Sequence, residues 1–494
     1  MKVARREFLK LGGAAVVGGA AIAGITTSTS CQRTPPAQPP GGKADYTVRI
    51  GTGLVELAPD RVVSTRLYND QFPGPLLRFT EGKPVVVDIY NDTDTPEQLH
   101  WHGQTLPADV DGAAEEGTPY IPAHGMRRVA FVPGPPGLRY YHTHLVAGDD
   151  LSLGTYNGQA GPVYIEPKHN PGRYDREVFL TLKEFEPFLD RSGDMGTPYL
   201  AGAPIPQLRA RGEAAIAQAR ARGLPPGFDL EYTTLAINGR ELGHGDPIRV
   251  KPGERVLLQL LNASATQTRG LALPGHTFTV VALDGNPVPT PARVPVLWLS
   301  AAERISALVE MNTPGVWVLG DINEDAQRRG MGVVVEYAGQ TGPPQWIPPP
   351  PFIWDYRVFG APDGNPPPPD HVFDMMIERK TDADKGFNVW TINGQSFSAK
   401  TGQPRFEVER GKRYRLRVSN ATENNHPIHL HRTTFEITHI AGTPTSGVRK
   451  DVVMLGAYQA LAIDFTANQP GLSLFHCHKQ SHMDFGFMAL INCT

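Results

Sequence analysis

Hydrophobic and polar residues alternate along three segments of this chain, and the segments share one order of features. Each has a strand-like alternating run, an asparagine, a short polar loop and a second alternating run. Successive side chains of a β-strand point to opposite faces, so this pattern predicts strands with one buried face. The segments are Val85–Gly103, Val256–Gly285 and Tyr414–Gly442, with Asn91, Asn262 and Asn420 at equivalent positions. Self-similarity at this spacing predicts three copies of one β-domain rather than a short-period solenoid.

Composition divides the chain around these copies. Domain 1 is predicted over residues 44–167, domain 2 over 168–342 and domain 3 over 343–494, with a signal and a Pro/Gly-rich linker over 1–43. The Pro-rich stretch "PPQWIPPPPF" leads into domain 3. Domain 2 also contains "QLRARGEAAIAQARARG", which predicts an inserted surface helix. The 52 Gly and 47 Pro, with few long amphipathic helical patterns, favour an all-β fold with many turns.

Charge and cysteine content exclude several classes of protein. The net charge of −3 over 494 residues gives no large basic face for nucleic acid or anionic lipid. Three cysteines are too few for a disulfide framework. The fold therefore depends on packing, and the cysteines are available for other chemistry.

The N-terminal stretch "RREFLKLGGAAVVGGAAIAGITTSTSC" resembles a twin-arginine export signal of bacterial type. Its apolar run is too short and too rich in glycine to span a membrane well, so we expect no stable membrane span in the mature form. The expected location is the periplasm or the extracellular space. Two mature forms are left open, a cleaved one and one with a lipid anchor on Cys31.

Histidines are concentrated in domains 1 and 3. Ten of the sixteen lie in four short motifs: His100-Trp-His102, His142-Thr-His144, His426-Pro-Ile-His429-Leu-His431, and His476-Cys-His478 with His482. At the equivalent places domain 2 has "LALPGH" and "LGD". Because the same scaffold is predicted without these histidines, they are not needed for folding, and a binding function is indicated.

Strand geometry sorts these side chains into two sites. His476 and His478 lie on one face of a strand and Cys477 on the other, since side-chain direction alternates. His429 and His431 share a face, whereas His426 is out of phase with them and belongs with Cys477. The sequence therefore predicts one Cys/His/His site and one cluster of eight histidines.

The ligand types identify the metal. One thiolate with two imidazoles is the ligand set of a blue-copper electron-transfer centre, whereas structural zinc sites prefer four protein ligands with more thiolates. Eight histidines can ligate three coppers as three, three and two, which leaves positions open for dioxygen. Because Cys477 lies between His476 and His478, it joins the two sites through bonds.

With all four motifs present, the chain resembles the multicopper oxidases, a family that includes laccases, bacterial copper-efflux oxidases and bilirubin oxidases. The resemblance implies three tandem cupredoxin-like Greek-key β-barrel domains, with a trinuclear site between the first and the third. It also implies four copper ions per chain. The implied type 1 ligands are His426, Cys477 and His482; the type 2 ligands are His100 and His429; the type 3 ligands are His102, His142 and His478 on one copper and His144, His431 and His476 on the other.

Three further positions carry roles by the same resemblance. Phe487 falls at the axial position of type 1 copper and does not coordinate, and neighbouring Met488 points to the opposite face of its strand. Without a thioether ligand we expect a raised reduction potential. Asp111 and Asp484 match acidic residues that supply protons for oxygen reduction. The alternative role of each aspartate is to stabilise a turn or to cap a helix.

The expected activity is laccase-like: a small reductant, phenolic or aromatic, gives single electrons that reduce dioxygen to water. The ten methionines are scattered, and "ATENN" before His426 contains none, which favours aromatic donors over Cu(I). One alternative is an oxidase of cuprous or other low-valent metal ions in copper defence. Another is a non-enzymatic envelope scaffold of the same fold. We expect a monomer that binds no nucleic acid.

Overall fold

The structure is a computed structural model that describes residues 41–168, 173–190, 199–380 and 385–494. These residues belong to one compact unit, Pro39–Thr494. The predicted export signal and Cys31 lie outside the described residues. Within the described part of the chain, no helix has the length and apolar character needed to cross a membrane. Strands account for 48% of the structure and helices for 9%, which confirms the all-β prediction.

Domain 1 consists of two four-stranded sheets, ordered β2-β1-β4-β6 and β3-β8-β7-β5. Its strands are β1 (Tyr46–Ala58), β2 (Arg61–Tyr68), β3 (Leu77–Thr80), β4 (Val85–Asn91), β5 (His100–His102), β6 (Gly125–Phe131), β7 (Gly137–His142) and β8 (Ala160–Glu166). Its helices are α1 (Ala108–Asp111) and the 3₁₀ turns Ala114–Glu116 and Gly154–Tyr156. Along the chain, α1 and the 3₁₀ turn after it lie between β5 and β7, the two strands that carry histidines.

Domain 2 repeats this plan with longer sheets, ordered β10-β9-β12-β17-β14-β15 and β11-β19-β18-β13-β16. Its strands are β9 (Arg176–Asp190), β10 (Asp229–Ile237), β11 (Ile248–Val250), β12 (Arg255–Asn262), β13 (Arg269–Ala272), β14 (Phe278–Leu283), β15 (Asn286–Val294), β16 (Leu297–Leu299), β17 (Arg304–Glu310), β18 (Val316–Asp321) and β19 (Gly332–Tyr337). Its helices are α2 (Pro206–Ala221) and α3 (Glu324–Arg328).

Domain 3 has sheets ordered β21-β20-β23-β28-β25-β26 and β22-β30-β29-β24-β27, which match those of domain 2 strand for strand. Its strands are β20 (His371–Arg379), β21 (Trp390–Ile392), β22 (Arg405–Val408), β23 (Arg413–Asn420), β24 (His426–Leu430), β25 (Phe435–Ile440), β26 (Thr443–Lys450), β27 (Val452–Leu455), β28 (Ala460–Thr466), β29 (Gly471–Cys477) and β30 (Met488–Cys493). A 3₁₀ turn (Tyr356–Phe359) precedes them and α4 (Gln480–Asp484) follows β29. The predicted repeat is confirmed, whereas the exact limits between domains stay a prediction.

The asparagine of each repeat has the same role in all three domains. Asn91, Asn262 and Asn420 are fully buried at the end of a strand. Each side-chain Oδ1 accepts a hydrogen bond from the backbone N–H two residues later. Each Nδ2 donates to one backbone carbonyl of the loop that follows and to another from a distant part of the same domain. A buried amide needs such partners, so the asparagine fixes the loop that leads into the histidine strand.

The inserted helix of domain 2 is confirmed as α2, and one of its sides contacts domain 3. Arg211 forms a 2.6 Å ion pair with Glu378 of β20. Gly212 is buried against the carbonyl of Ala421, where a side chain would collide with the backbone. The predicted surface helix therefore also connects the last two domains.

The buried apolar residues form one core in domain 1, a larger core mainly in domains 2 and 3, a third cluster between all three domains and a small fourth cluster in domain 3. Tyr140, Ala302 and Val452 of the third cluster come from domains 1, 2 and 3 respectively. The histidine motifs lie next to this junction, so the packing of three domains determines their positions.

Candidate metal centres

Four short segments bring the eight clustered histidines together between domains 1 and 3. In domain 1, β5 pairs with β7, so that His100 lies opposite His142. In domain 3, β24 pairs with β29, so that His429 lies opposite His476. None of the eight is more than 5% exposed: His100, His102, His142, His144, His429, His431, His476 and His478. Imidazoles of the two domains stack on each other, His100 on His431 and His102 on His429, with ring centroids 4.0 and 3.9 Å apart.

The eight imidazoles form three groups whose ligand atoms lie within 4.8 Å of one another: His100, His102 and His429; His102, His142 and His478; His144, His431 and His476. Several imidazole nitrogens of the cluster have no hydrogen-bond partner among the described residues: Nε2 of His100 and His429, Nδ1 of His478, and both nitrogens of His144. Leaving a buried polar atom unpaired costs about 1–3 kcal/mol. Metal ions bound at these nitrogens would remove that cost.

Hydrogen bonds on the outer side of the cluster fix which nitrogen faces inward. The Nδ1 atoms of His100, His142, His429 and His476 lie 2.7–2.9 Å from the backbone carbonyls of Asp111, Thr143, Asp451 and Cys477 respectively. A carbonyl only accepts hydrogen bonds, so each Nδ1 carries the proton and each Nε2 is left bare toward the cluster. Such outer partners orient imidazoles that ligate metals.

His102 has the opposite tautomer. Its Nε2–H donates to Oδ1 of Asp451 at 3.0 Å, which leaves Nδ1 bare at 3.4 Å from Nε2 of His142. The carboxylate and not a backbone carbonyl therefore determines the ligand atom of this residue. The spacing of the motif does not predict this difference.

Burial keeps these imidazoles neutral. Loss of solvation, followed by repulsion from neighbouring imidazoles or cations, lowers the pKa of His102, His142, His144, His426, His429, His431, His476, His478 and His482 well below the usual value. Neutral imidazole is the form that binds metals. The clusters are therefore ready to bind metal at neutral pH.

Asp111 contacts the cluster from the end of α1. Its Oδ2 lies 3.0 Å from Nδ1 of His100 and 2.9 Å from Nδ1 of His431. Gly112 follows with φ 106°, a conformation that favours glycine, and turns the chain away. Glu116, which sequence reasoning missed, places Oε1 3.3 Å from the same nitrogen of His431, and burial raises the pKa of its carboxyl well above the usual value. The run "DGAAEE" was the available signal for it.

The second predicted site is also assembled. Sγ of Cys477 lies 3.7 Å from Nδ1 of His426 and 3.6 Å from Nδ1 of His482, and those two nitrogens are 3.0 Å apart. Burial raises the pKa of the Cys477 thiol to about 12, so a metal ion would be needed to hold it as a thiolate. Nε2 of His426 lies 2.9 Å from Oγ1 of Thr422, which also donates to the repeat residue Asn420. Thr422 thus links the scaffold asparagine to this site.

The residues after α4 have the predicted directions. Phe487 is fully buried in the core that contains Cys477, and its ring centroid is 5.1 Å from that of His426. Met488 packs instead with Leu474 and Met483 in a separate apolar cluster. The benzyl group and not the thioether therefore faces the Cys477 site.

Asp484, at the end of α4, contacts the chain segment that follows His144. Its Oδ2 accepts hydrogen bonds from the backbone N–H groups of Ala147 and Gly148, at 2.9 and 2.8 Å, and its Oδ1 accepts one from Gln480 at 2.9 Å. Burial raises the pKa of this carboxyl to about 7 in spite of these donors. The contacts are those of a connection between domains 1 and 3, and a role in proton transfer stays a prediction.

Family models described as multicopper oxidase match residues 52–170, 212–335 and 365–493. This chain belongs to the multicopper oxidase family. It is 29% identical to multicopper oxidase MmcO of Mycobacterium tuberculosis over 98% of this chain and 95% of that protein. It is 28% identical to copper resistance protein A of Pseudomonas syringae over 63% of this chain and 52% of that protein. The solved multi-copper oxidase of Pseudomonas thermotolerans superposes with a TM-score of 0.67 at 23% identity, over 92% of this chain and 100% of that one.

Family membership confirms the prediction of cupredoxin-like domains and implies copper-dependent oxidation with dioxygen as the oxidant. The donor sets agree with this, because imidazole nitrogens and a buried thiol are ligands that copper prefers.

Proposed function

We propose that this multicopper oxidase is laccase-like and couples one-electron oxidation of phenolic or aromatic donors to four-electron reduction of dioxygen to water. One observation carries the proposal. Cys477 faces His426 and His482, while its chain neighbours His476 and His478 face the eight-histidine cluster. Electrons arriving at the first site therefore have a short covalent route to the second.

Four copper ions per chain fit the grouping of ligands. In this proposal His426, Cys477 and His482 hold type 1 copper, His100 and His429 hold type 2 copper, His102, His142 and His478 hold one type 3 copper, and His144, His431 and His476 hold the other. Copper in these sites would supply one-electron acceptance from the donor and multi-electron reduction of dioxygen.

The chain's own residues supply the surroundings that this chemistry needs. Phe487 and Trp390 keep water away from the Cys477 site, because both are at most 1% exposed and both rings contact its imidazoles. The Oδ2 atom of Asp111 lies beside Nδ1 of two imidazoles of the large cluster, and we propose that Asp111 passes protons toward dioxygen. Asp484 is the second proposed acid.

Buried aromatic side chains surround His482. The Trp390 ring lies 4.1 Å from the His482 ring, and Phe387 stacks on Phe485 at 4.6 Å. Met483, which follows His482 in the chain, points into a buried apolar cluster and is 4% exposed. Its thioether therefore does not offer a Cu(I) ligand at the surface.

A second candidate function is oxidation of cuprous or other low-valent metal ions. The similarity to copper resistance protein A over 63% of this chain supports it. The same four coppers would act, and only the donor would differ.

Oxygen uptake by the copper-loaded protein tests these proposals, with a methoxyphenol and Cu(I) compared as donors. Faster uptake with the phenol and without peroxide release is expected for the laccase-like enzyme. Faster uptake with Cu(I) would establish the metal oxidase instead.

Two cysteine variants complete the test. Cys477→Ser should abolish uptake with both donors. Cys493→Ser is the matched control, because Cys493 is also buried but its Sγ–H donates to the backbone carbonyl of Ala467, away from the proposed copper sites. No uptake by the unsubstituted protein with either donor would favour the envelope scaffold.

A further inference from the structure

We propose that Arg304 of domain 2, the domain without copper ligands, is a positioning residue for the trinuclear copper site. Its guanidinium binds the carboxylate of Asp451 through two parallel hydrogen bonds, Nη1 to Oδ1 at 2.7 Å and Nη2 to Oδ2 at 2.6 Å. This inference rests on the ligand roles proposed above for His102 and His429. Domain 2 would then contribute to metal binding through Arg304, although its sequence has none of the histidine motifs.

Asp451 contacts one proposed ligand from each side of the domain boundary. Its Oδ1 accepts a hydrogen bond from Nε2 of His102 in domain 1, at 3.0 Å. Its backbone carbonyl accepts one from Nδ1 of His429 in domain 3, at 2.7 Å. The two imidazoles are stacked with an interplanar angle of 12°. The position of this single residue therefore determines the directions of two ligands.

Domain 2 forms hydrogen bonds with the backbone of Asp451 as well as with its side chain. Oδ2 of Asp284 accepts hydrogen bonds from the backbone N–H groups of Asp451 and Val452, at 3.2 and 3.0 Å. Lys450 forms a 3.0 Å ion pair with the same carboxylate oxygen. Oδ1 of Asp284 accepts a hydrogen bond from the backbone N–H of Arg304 at 3.0 Å, which closes the network.

The backbone around Arg304 is shaped to admit this network. Gly103, directly after His102, has φ 78°, and a Cβ atom there would lie 2.7 Å from both Nη2 of Arg304 and Oδ2 of Asp451. Ala302 has φ 71°, a conformation unfavourable for residues with a side chain, and its carbonyl accepts a hydrogen bond from Nη1 of Arg304 at 2.9 Å. The unfavourable backbone conformation of Ala302 thus accompanies the contact of the Arg304 guanidinium with the Asp451 carboxylate.

Stability alone does not account for this arrangement. Arg304, Asp451 and Asp284 are each at most 1% exposed, and a buried ion pair is often no more stabilising than apolar residues of the same volume. The ion pair between Arg304 and Asp451 does fix the orientation of the Asp451 carboxylate. A carboxylate accepts hydrogen bonds only, so it keeps the proton of His102 on Nε2 and leaves Nδ1 bare toward His142.

The first test replaces Arg304 by Met and by Lys in the full-length chain. Copper content and the electron paramagnetic resonance signals of type 1 and type 2 copper are measured together. We expect affinity at the trinuclear site to fall about 10- to 100-fold in Arg304→Met, as for other residues that orient metal ligands, while the type 1 signal is kept. Arg304→Lys should restore part of the loss, because it keeps the charge without the two parallel bonds.

Arg269→Met is the matched control. Arg269 also lies in domain 2, is 5% exposed and pairs with Asp321 at 3.7 Å. We expect this variant to lower the unfolding temperature without changing either copper signal. If Arg304→Met behaves like the control, with full trinuclear copper and only a lower unfolding temperature, the inference is wrong.

A second measurement covers the case in which Arg304→Met does not fold. Asp451→Asn keeps the shape of the side chain, and the ¹⁵N resonances of the imidazoles in metal-free protein report the tautomer of each histidine. We expect His102 to lose its uniform Nε2–H tautomer in Asp451→Asn, whereas His142, held by the carbonyl of Thr143, keeps its own. Unchanged His102 resonances would overturn the inference. Failure of the ligand roles themselves would differ, because the unsubstituted protein would then lack trinuclear copper.

Discussion

Replacing Asp111 by Asn changes the charge beside the large histidine cluster while it keeps the size of the side chain. The carboxylate is fully buried and contacts Nδ1 of His100 at 3.0 Å and Nδ1 of His431 at 2.9 Å. A hydrogen bond to a charged group contributes about 1.5–3 kcal/mol, and one between neutral groups about 0.5–1.5 kcal/mol. Because Nδ1–H of His100 already donates to the backbone carbonyl of Asp111, only the His431 hydrogen bond is counted, and it weakens by about 1–1.5 kcal/mol.

Each 1.4 kcal/mol is tenfold, so turnover should fall by about 5- to 12-fold when this loss is expressed in the rate. A role in orientation alone predicts the same factor at every pH. A role in proton delivery predicts a loss that grows as the pH rises, because solvent protons become scarcer.

Steady-state oxygen uptake from acid to neutral pH, with a methoxyphenol as donor, separates these cases. Asp109→Asn is the matched control, because Asp109 lies on the same short helix and is exposed. Turnover of Asp111→Asn equal to that of the control across the pH range would show that Asp111 does not deliver protons. Glu116, 3.3 Å from Nδ1 of His431, is the residue to replace next in that event.

Three further predictions concern the metal sites and their frame. Phe487→Met should lower the reduction potential of type 1 copper in a redox titration of its absorption, because a thioether stabilises Cu(II); an unchanged potential would refute the axial assignment. Gly103→Ala should lower the free energy of unfolding by about 1–3 kcal/mol in a denaturant titration, more than Gly117→Ala, where a Cβ meets nothing within 4 Å. For the buried histidines, a folded-state pKa below the unfolded value means that the unfolded chain binds more protons below about pH 6.5. The metal-free protein should therefore lose stability as the pH falls below that value, and a flat profile by the same titration would contradict the lowered pKa values.

The sequence by itself determined the repeated scaffold and the division of the ligands. Alternation with a period of two fixes which side chains share a face of a strand, so Cys477 and its neighbouring histidines were assignable to opposite sites from spacing alone. The same rule predicted that Phe487 and Met488 point in opposite directions, whereas the family resemblance assigned Phe487 to the axial position. The repeated asparagines marked equivalent loops because each domain needs the same buried amide.

Only the tertiary structure decided what surrounds the ligands. Arg304 is 147 residues from Asp451 in the chain, and Asp451 is 349 residues from His102. No local pattern encodes a contact between side chains of three domains, because it depends on how the folded domains pack. Glu116 lay next to a recognised acid, yet its approach to His431 needed domain 3 to be in place. Local periodicity thus determined which side chains are proposed as ligands, and long-range packing determined the groups that contact them.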